Sequence, residues 1–183
     1  GWTSVSVWFL IAATIVGFTQ QTHIILRFAR YLRATCFWIF TTQWFFGLSI
    51  LDRIYQSSGS CALSPEFAAT GSPSIYATVT SCKRAGGTWS GFDISGHCLL
   101  LIHCSILLAM EVRESKKRTN VTGSDVKLNF LVLAARYVAL AFQALWWFML
   151  LVTAVHFHHA PEKFVGAGLA IAFWIGEFIV FEQ

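Results

Sequence analysis

Two short stretches gather the residue types that can move protons. One is Gly91-Phe92-Asp93-Ile94-Ser95-Gly96-His97; the other is His156-Phe157-His158-His159. Imidazole changes charge near neutral pH and so can give or take a proton there. Two imidazoles meeting on one substrate suit phosphoryl transfer, where one attacks phosphorus or activates water and the other protonates the leaving oxygen. Such chemistry also needs donors for phosphate oxygens. Gly86-Gly87 and Ser95-Gly96 could offer backbone N–H groups, the second pair just ahead of a helix start whose dipole favours an anion. The same letters admit a plainer use: Ser95 or Asp93 can cap the following helix, with His97 merely its neighbour. Spacing alone weighs catalysis and capping evenly. Zinc held by His97, His156 and His158 ranks below both, because no cysteine pair or carboxylate pattern accompanies them.

The elements that must position these groups are membrane helices. The chain has 183 residues, 56% hydrophobic and 12% charged, with a mean hydropathy of +0.61. An average soluble domain is about 25% charged. The 17 Phe and 8 Trp suit lipid-facing surfaces and interfacial belts. A net charge of +4 is too small to argue for nucleic acid, and none is expected as a partner. The chain starts without Met or a charged segment before its first apolar run, so it reads either as processed or as lacking an upstream segment.

Five stretches reach the roughly 20 residues a bilayer crossing needs: 2–19, 34–51, 95–112, 128–155 and 164–181. The fold class expected is therefore all-α, a polytopic bundle of five transmembrane helices in a single domain over 1–183, with one long loop at 52–94. Lys and Arg set the orientation. Arg27, Arg30 and Arg33 precede the second stretch, and Arg113, Lys116, Lys117, Arg118 and Lys127 follow the third, so both loops are assigned to the cytosol. The long loop balances Arg53, Lys83 and Arg84 against Asp52, Glu66 and Asp93, and the last loop holds Lys163; both are assigned to the opposite, lumenal side. The C-terminus is then cytosolic, and His97 and the His156–His159 cluster share the lumenal face.

The sequon Asn120-Val121-Thr122 falls on the cytosolic side and is expected to stay unmodified. Cys61 and Cys82 fall on the oxidising side, where a disulfide is permitted. A loop containing Gly59, Pro65, Gly71 and Pro73 has little else to fix it, which favours the bond over two free thiols. Cys36, Cys98 and Cys104 read as packing residues. Among ionisable groups at membrane depth, Arg136 and Glu111 read as snorkelling near span ends. Glu177 reads as a structural partner, His103 as a core histidine off the face of His97, and His23 as part of a basic loop.

These residues bring out a resemblance. The run from Cys82 to His97, with its cysteine, glycine pair, Trp89 and whole GFDISGH string, resembles the signature of the fat storage-inducing transmembrane family, relatives of the lipid phosphate phosphatases. Ser58–Pro65 resembles the family's lumenal Gly-Ser-Cys segment, and Thr153–Gly166 its second histidine motif, with His158 at the histidine position. The resemblance covers most of the chain. It implies six spans, so the first family span looks to be missing. It also implies an acyl-CoA diphosphatase of the endoplasmic reticulum membrane, acting at the lumenal face. Such an enzyme yields acyl 4′-phosphopantetheine and adenosine 3′,5′-bisphosphate and supports lipid-droplet budding. Its partners are then fatty acyl-CoA together with neutral and membrane lipids. No cofactor or metal ligand set follows from it.

By the phosphatase analogy His97 is the acid on the leaving group and His158 the nucleophile or base. Glu162, four residues on, matches the acidic residue that orients the second histidine, although helix capping explains it nearly as well. The relatives' Lys-x6-Arg-Pro phosphate motif is absent, since no Arg-Pro pair occurs in the chain. Their Ser-Arg is replaced by Leu151-Val152. Ser95, Gly96, Lys83, Arg84 and Lys163 are then the candidates for holding phosphate, with solvated loop charge the plainer use of the three cations. The competing reading is a non-enzymatic protein that partitions di- or triacylglycerol on its aromatic-rich spans.

Overall fold

The apolar runs of the C-terminal half become three long helices in the computed structural model, which describes residues 21–43, 47–63, 78–119 and 126–181. In chain order the elements are α1 (Gln21–Thr42), α2 (Ile50–Ser57), β1 (Ser60–Ala62), α3 (Val79–Arg84), β2 (Thr88–Ser90), α4 (Gly96–Thr119), α5 (Val126–His156) and α6 (Ala160–Phe181). The expected span at 2–19, the sequon and the middle of the 52–94 connection lie outside the described residues.

Among the described residues, three segments are long and apolar enough to cross a membrane: Gly96–Glu114, Leu133–His156 and Ala160–Phe181. They match the last three expected spans closely, and the protein is a multi-pass helical membrane protein. Side chains such as Phe130, Tyr137, Trp147, Phe148, Phe164, Ile175 and Phe178 point outward from α5 and α6. In a bilayer that outward face meets lipid rather than water. The helix α4 packs against both α5 and α6 and supplies much of the core. Leu101, Cys104, Leu107 and Leu108 meet Ala34, Ala139, Trp146 and Trp174 there.

The expected span at 34–51, preceded by a basic loop, is corrected. Helix α1 already runs from Gln21 to Thr42, Gly47 breaks the chain with φ 133°, and α2 follows as a separate short helix. The physical reason lies in the arginines. Spaced three apart, Arg27, Arg30 and Arg33 form one stripe along a helix, and that stripe meets carboxylates on neighbouring helices. Arg27 donates to Glu111 of α4, both side chains being buried. Arg30 Nη1 lies 3.8 Å from Glu111 Oε1. Arg33 grips Glu177 of α6 with two nitrogens, Nε to Oε1 at 2.8 Å and Nη2 to Oε2 at 2.8 Å, and lies 3.9 Å over the Phe181 ring. Paired cations can stay helical where lone ones would seek water.

His103 is a joint of the same kind. Its fully buried ring places Nε2 3.1 Å from the Ala34 carbonyl of α1, amid Phe37, Phe173 and Trp174. The indole of Trp174 donates to the His103 carbonyl at 3.2 Å. One end of the bundle is thus sewn by ion pairs and its middle by these aromatic and polar contacts. The opposite end carries the histidine motifs.

Removing one partner of a buried ion pair costs about 3–5 kcal/mol, while an exposed pair contributes about 0–1 kcal/mol. Glu111→Gln is therefore expected to destabilise the protein by about 3–5 kcal/mol in detergent unfolding. Arg33→Ala, whose side chain is 32% exposed, should cost distinctly less. Equal losses would show that burial does not separate the two pairs.

Candidate active site

A small platform between α1 and α4 leads the chain into the first histidine motif. Ser49 caps α2, its hydroxyl accepting from the Asp52 N–H at 3.1 Å. Strands β1 and β2 pair antiparallel, with Cys61 opposite Trp89. A disulfide joins Cys61 to Cys82 of α3, their Cα atoms 5.7 Å apart. Helix α3 closes in a Schellman turn: Gly86, at φ 71°, donates to the Lys83 carbonyl at 3.1 Å, and Gly87 to the Cys82 carbonyl at 3.0 Å. This corrects the expectation that Gly86-Gly87 offers N–H donors to phosphate, because both amides are committed to the turn. Trp89 Nε1 donates to the Tyr55 carbonyl, and the Tyr55 hydroxyl to the Trp89 carbonyl, each at 3.3 Å. A Cβ on Gly59 would fall 2.1 Å from Trp89 Nε1, so only glycine lets the indole lie there. The Phe92 N–H then bonds Ser58 Oγ at 2.8 Å and aims the chain at Asp93.

Glu162 makes the next connection. It is the third residue of α6, and its Oε2 accepts the N–H of the preceding cap, His159, at 2.7 Å. That is half of a capping box. Its other oxygen accepts the Asp93 N–H at 3.0 Å, and its backbone carbonyl accepts the Ser95 N–H at 3.2 Å. One residue therefore holds both histidine motifs together. Gly166, one turn on, lies under the Ser95 carbonyl, where a Cβ would come within 2.4 Å of the oxygen. Ser95 is fully buried and caps α4, its hydroxyl accepting from the Cys98 N–H at 3.3 Å. Capping and site building coincide here, since the cap fixes the turn that presents His97.

His97 stands exposed in the first turn of α4, among N–H groups that a helix start leaves without intrahelical partners. His158 lies between α5 and α6 with φ 57°. Glycine or asparagine is usual just past a helix end in that conformation, and for other residues it costs about 1–2 kcal/mol. Strain of this kind clusters at functional sites. The His158 ring is mostly covered, and its Nδ1 lies 3.5 Å from Asp93 Oδ2 and 3.6 Å from Glu162 Oε2. Asp93 entered the sequence reading only as a possible cap and a loop charge. Its signal was present, since a carboxylate sits inside the same string as His97.

The other candidates are placed as follows. Lys163 donates its ammonium to the Ala154 carbonyl at 2.6 Å, finishing α5. Lys83 and Arg84 are exposed in the last turn of α3, where cations suit the helix dipole. Among the described residues neither cation bonds to the His158 group. Gly96 opens α4 with room around it, a Cβ there meeting only Leu51 at 3.8 Å. Among the described residues no three His, Cys, Asp or Glu side chains come together as metal ligands.

Fold and site define a multi-pass α-helical membrane protein with a histidine–carboxylate cluster at one end of its bundle. Sequence comparison gives the family. The family described as "Fat storage-inducing transmembrane protein" (FIT) matches residues 1–136 and 116–180, and the chain belongs to it. Among relatives, the Schizosaccharomyces pombe protein named acyl-coenzyme A diphosphatase fit1 is 36% identical over 148 residues, covering 80% of this chain and 54% of that protein. The human protein named acyl-coenzyme A diphosphatase FITM2 is 30% identical over 179 residues, covering 97% of this chain and 64% of its own length. Its mouse counterpart is 29% identical over 177 residues, with 97% and 64% covered. The chain thus spans between about half and two thirds of these relatives. No solved structure matches it significantly.

Two substitutions separate strain from packing at this site. His158→Gly relieves the left-handed backbone and is expected to hold stability or raise it by about 1 kcal/mol. Gly166→Ala forces Ser95 away and should cost about 1–3 kcal/mol. Thermal unfolding in detergent reads both. A loss in His158→Gly as large as that in Gly166→Ala would show that ring contacts outweigh backbone strain.

Proposed function

We propose that this protein is an acyl-CoA diphosphatase whose site is built on His97 and His158. The observation that carries this reading is the Glu162 bridge, which fastens the two histidine motifs to each other at one end of the bundle. The printed names of the relatives supply the substrate class. In the proposed reaction, water adds to one phosphorus of the fatty acyl-CoA diphosphate and the bridging P–O bond breaks. His158 removes the water proton, or attacks first and is released by water, and His97 protonates the departing phosphate oxygen. The products are acyl 4′-phosphopantetheine and adenosine 3′,5′-bisphosphate.

The N-terminal turn of α4 supports this assignment, because its outward N–H groups and dipole stabilise an anion beside His97. The buried Ser95 acts there by holding the turn. Lys83 and Arg84 remain the candidate phosphate cations from the platform. The acyl chain, being apolar, would lie along the lipid-facing surface of the bundle, where neutral and membrane lipids also have access. We place the site on the lumenal side of the endoplasmic reticulum membrane, with the C-terminus cytosolic. The paired arginine stripe of α1 at the opposite end agrees with the charge bias of cytosolic ends. The disulfide on the site's own side agrees with an oxidising compartment. The domain reading is a single transmembrane unit over 1–183, with 52–94 as its lumenal connection.

Purified full chain given oleoyl-CoA should release adenosine 3′,5′-bisphosphate. His97→Ala and His158→Ala are each expected to slow that release by about 10²–10⁴-fold. Turnover at the wild-type rate in either variant would overturn the assignment, and neutral-lipid binding without any product would favour a partitioning protein instead.

A further inference from the structure

We propose that Asp93, rather than Glu162, is the residue that positions the His158 ring, a role that rests on the diphosphatase reading above. Both carboxylates approach the same nitrogen, His158 Nδ1, at 3.5 and 3.6 Å. They differ in what else they do. Glu162 is buried, and both of its oxygens are already engaged by backbone, Oε1 by the Asp93 N–H and Oε2 by the His159 N–H. Moving either oxygen toward the ring lengthens a bond that holds the start of α6 or the GFDISGH segment. Asp93 is anchored differently. Its backbone N–H is fixed to Glu162, whereas its side chain is 59% exposed and can turn about χ1 without breaking a bond within the fold. A rotation that moves Oδ2 by a few tenths of an ångström brings it within hydrogen-bond reach of Nδ1, and catalytic contacts commonly tighten in this way when substrate arrives.

The chemical consequence concerns the tautomer. A carboxylate on Nδ1 keeps the proton there and leaves the Nε2 lone pair free, and Nε2 is then the atom that meets phosphorus or water. His158 takes its left-handed backbone at the break between α5 and α6, and its ring lies beside Asp93 of the 91–97 segment. Glu162 is then the clamp of the two segments, and Asp93 the group that sets the proton. Lys163, the Lys or Arg nearest His158 in sequence, donates to the Ala154 carbonyl.

The test is 15N NMR of histidine-labelled full chain in lipid nanodiscs at alkaline pH, with the His158 signals identified by their loss in His158→Gln. The wild type should show His158 protonated on Nδ1. In Asp93→Ala the proton should move to Nε2, kcat should fall by roughly 10²–10⁴-fold with KM little changed, and the unfolding midpoint should hold. Glu162→Gln should keep the Nδ1 proton while lowering the unfolding midpoint. A wild-type ring protonated on Nε2, or an Nδ1 proton that survives in Asp93→Ala, overturns the assignment. So does undiminished kcat in Asp93→Ala. Should the wild type hydrolyse no acyl-CoA, the diphosphatase reading falls, while the tautomer change alone still decides which carboxylate holds the ring.

Discussion

One carboxylate joins two parts of the chain that are far apart in sequence. Glu162 closes the first turn of α6 and at the same time receives the Asp93 N–H from the GFDISGH segment. Its backbone carbonyl takes the Ser95 N–H as well. A buried carboxylate is costly unless its oxygens are satisfied, and here backbone donors satisfy both. That requirement fixes where the start of α4 lies against the start of α6. With it are fixed the exposed His97 on one side and the strained His158 on the other. The glycine at 166 follows from the same closeness, because no side chain fits beneath the Ser95 carbonyl.

The remainder of the bundle keeps this end in place from a distance. Helix α4 runs between α5 and α6, and at its far end Glu111 receives the arginines of α1. Glu177 does the same for α6 through Arg33. Lipid supplies no hydrophobic drive between helices, so polar contacts and close packing must define their arrangement. His103 bonded to Ala34, and Trp174 bonded to His103, add two such contacts in the middle. The disulfide-braced platform leads into the first histidine motif and holds Phe92, next to Asp93, through Ser58.

Much of this was legible in the sequence. Long apolar runs announced α4, α5 and α6, because about 20 apolar residues have few other uses. The His97 and His158 motifs stood out as polar letters beside apolar spans, and Cys61 and Cys82 as two cysteines in one polar connection. Helix α1 was misread for a physical reason. Arginine at Arg27, Arg30 and Arg33 reads as solvated loop when each is counted alone, yet their spacing of three was the mark of a helical stripe. Their carboxylate partners lie 84 and 144 residues away, and no local pattern reveals a contact of that range. Gly86-Gly87 was misassigned for the opposite reason. A glycine pair suits a phosphate loop and a Schellman turn equally, and only the bonds to Lys83 and Cys82 decide between them. Glu162 was seen as an orienting or capping group; that it also holds Asp93 depends on a tertiary approach the sequence does not encode locally.

The joining of the two histidine segments through Glu162 is tested most directly by hydrogen exchange in lipid, read peptide by peptide. In the wild type the amides of 91–99 and of 157–165 should exchange slowly. In Glu162→Ala both segments should lose protection together, while the peptides around Glu111 and Glu177 keep theirs. Rapid exchange at 91–99 in the wild type, or protection there that survives Glu162→Ala, would contradict a site built on that single bridge.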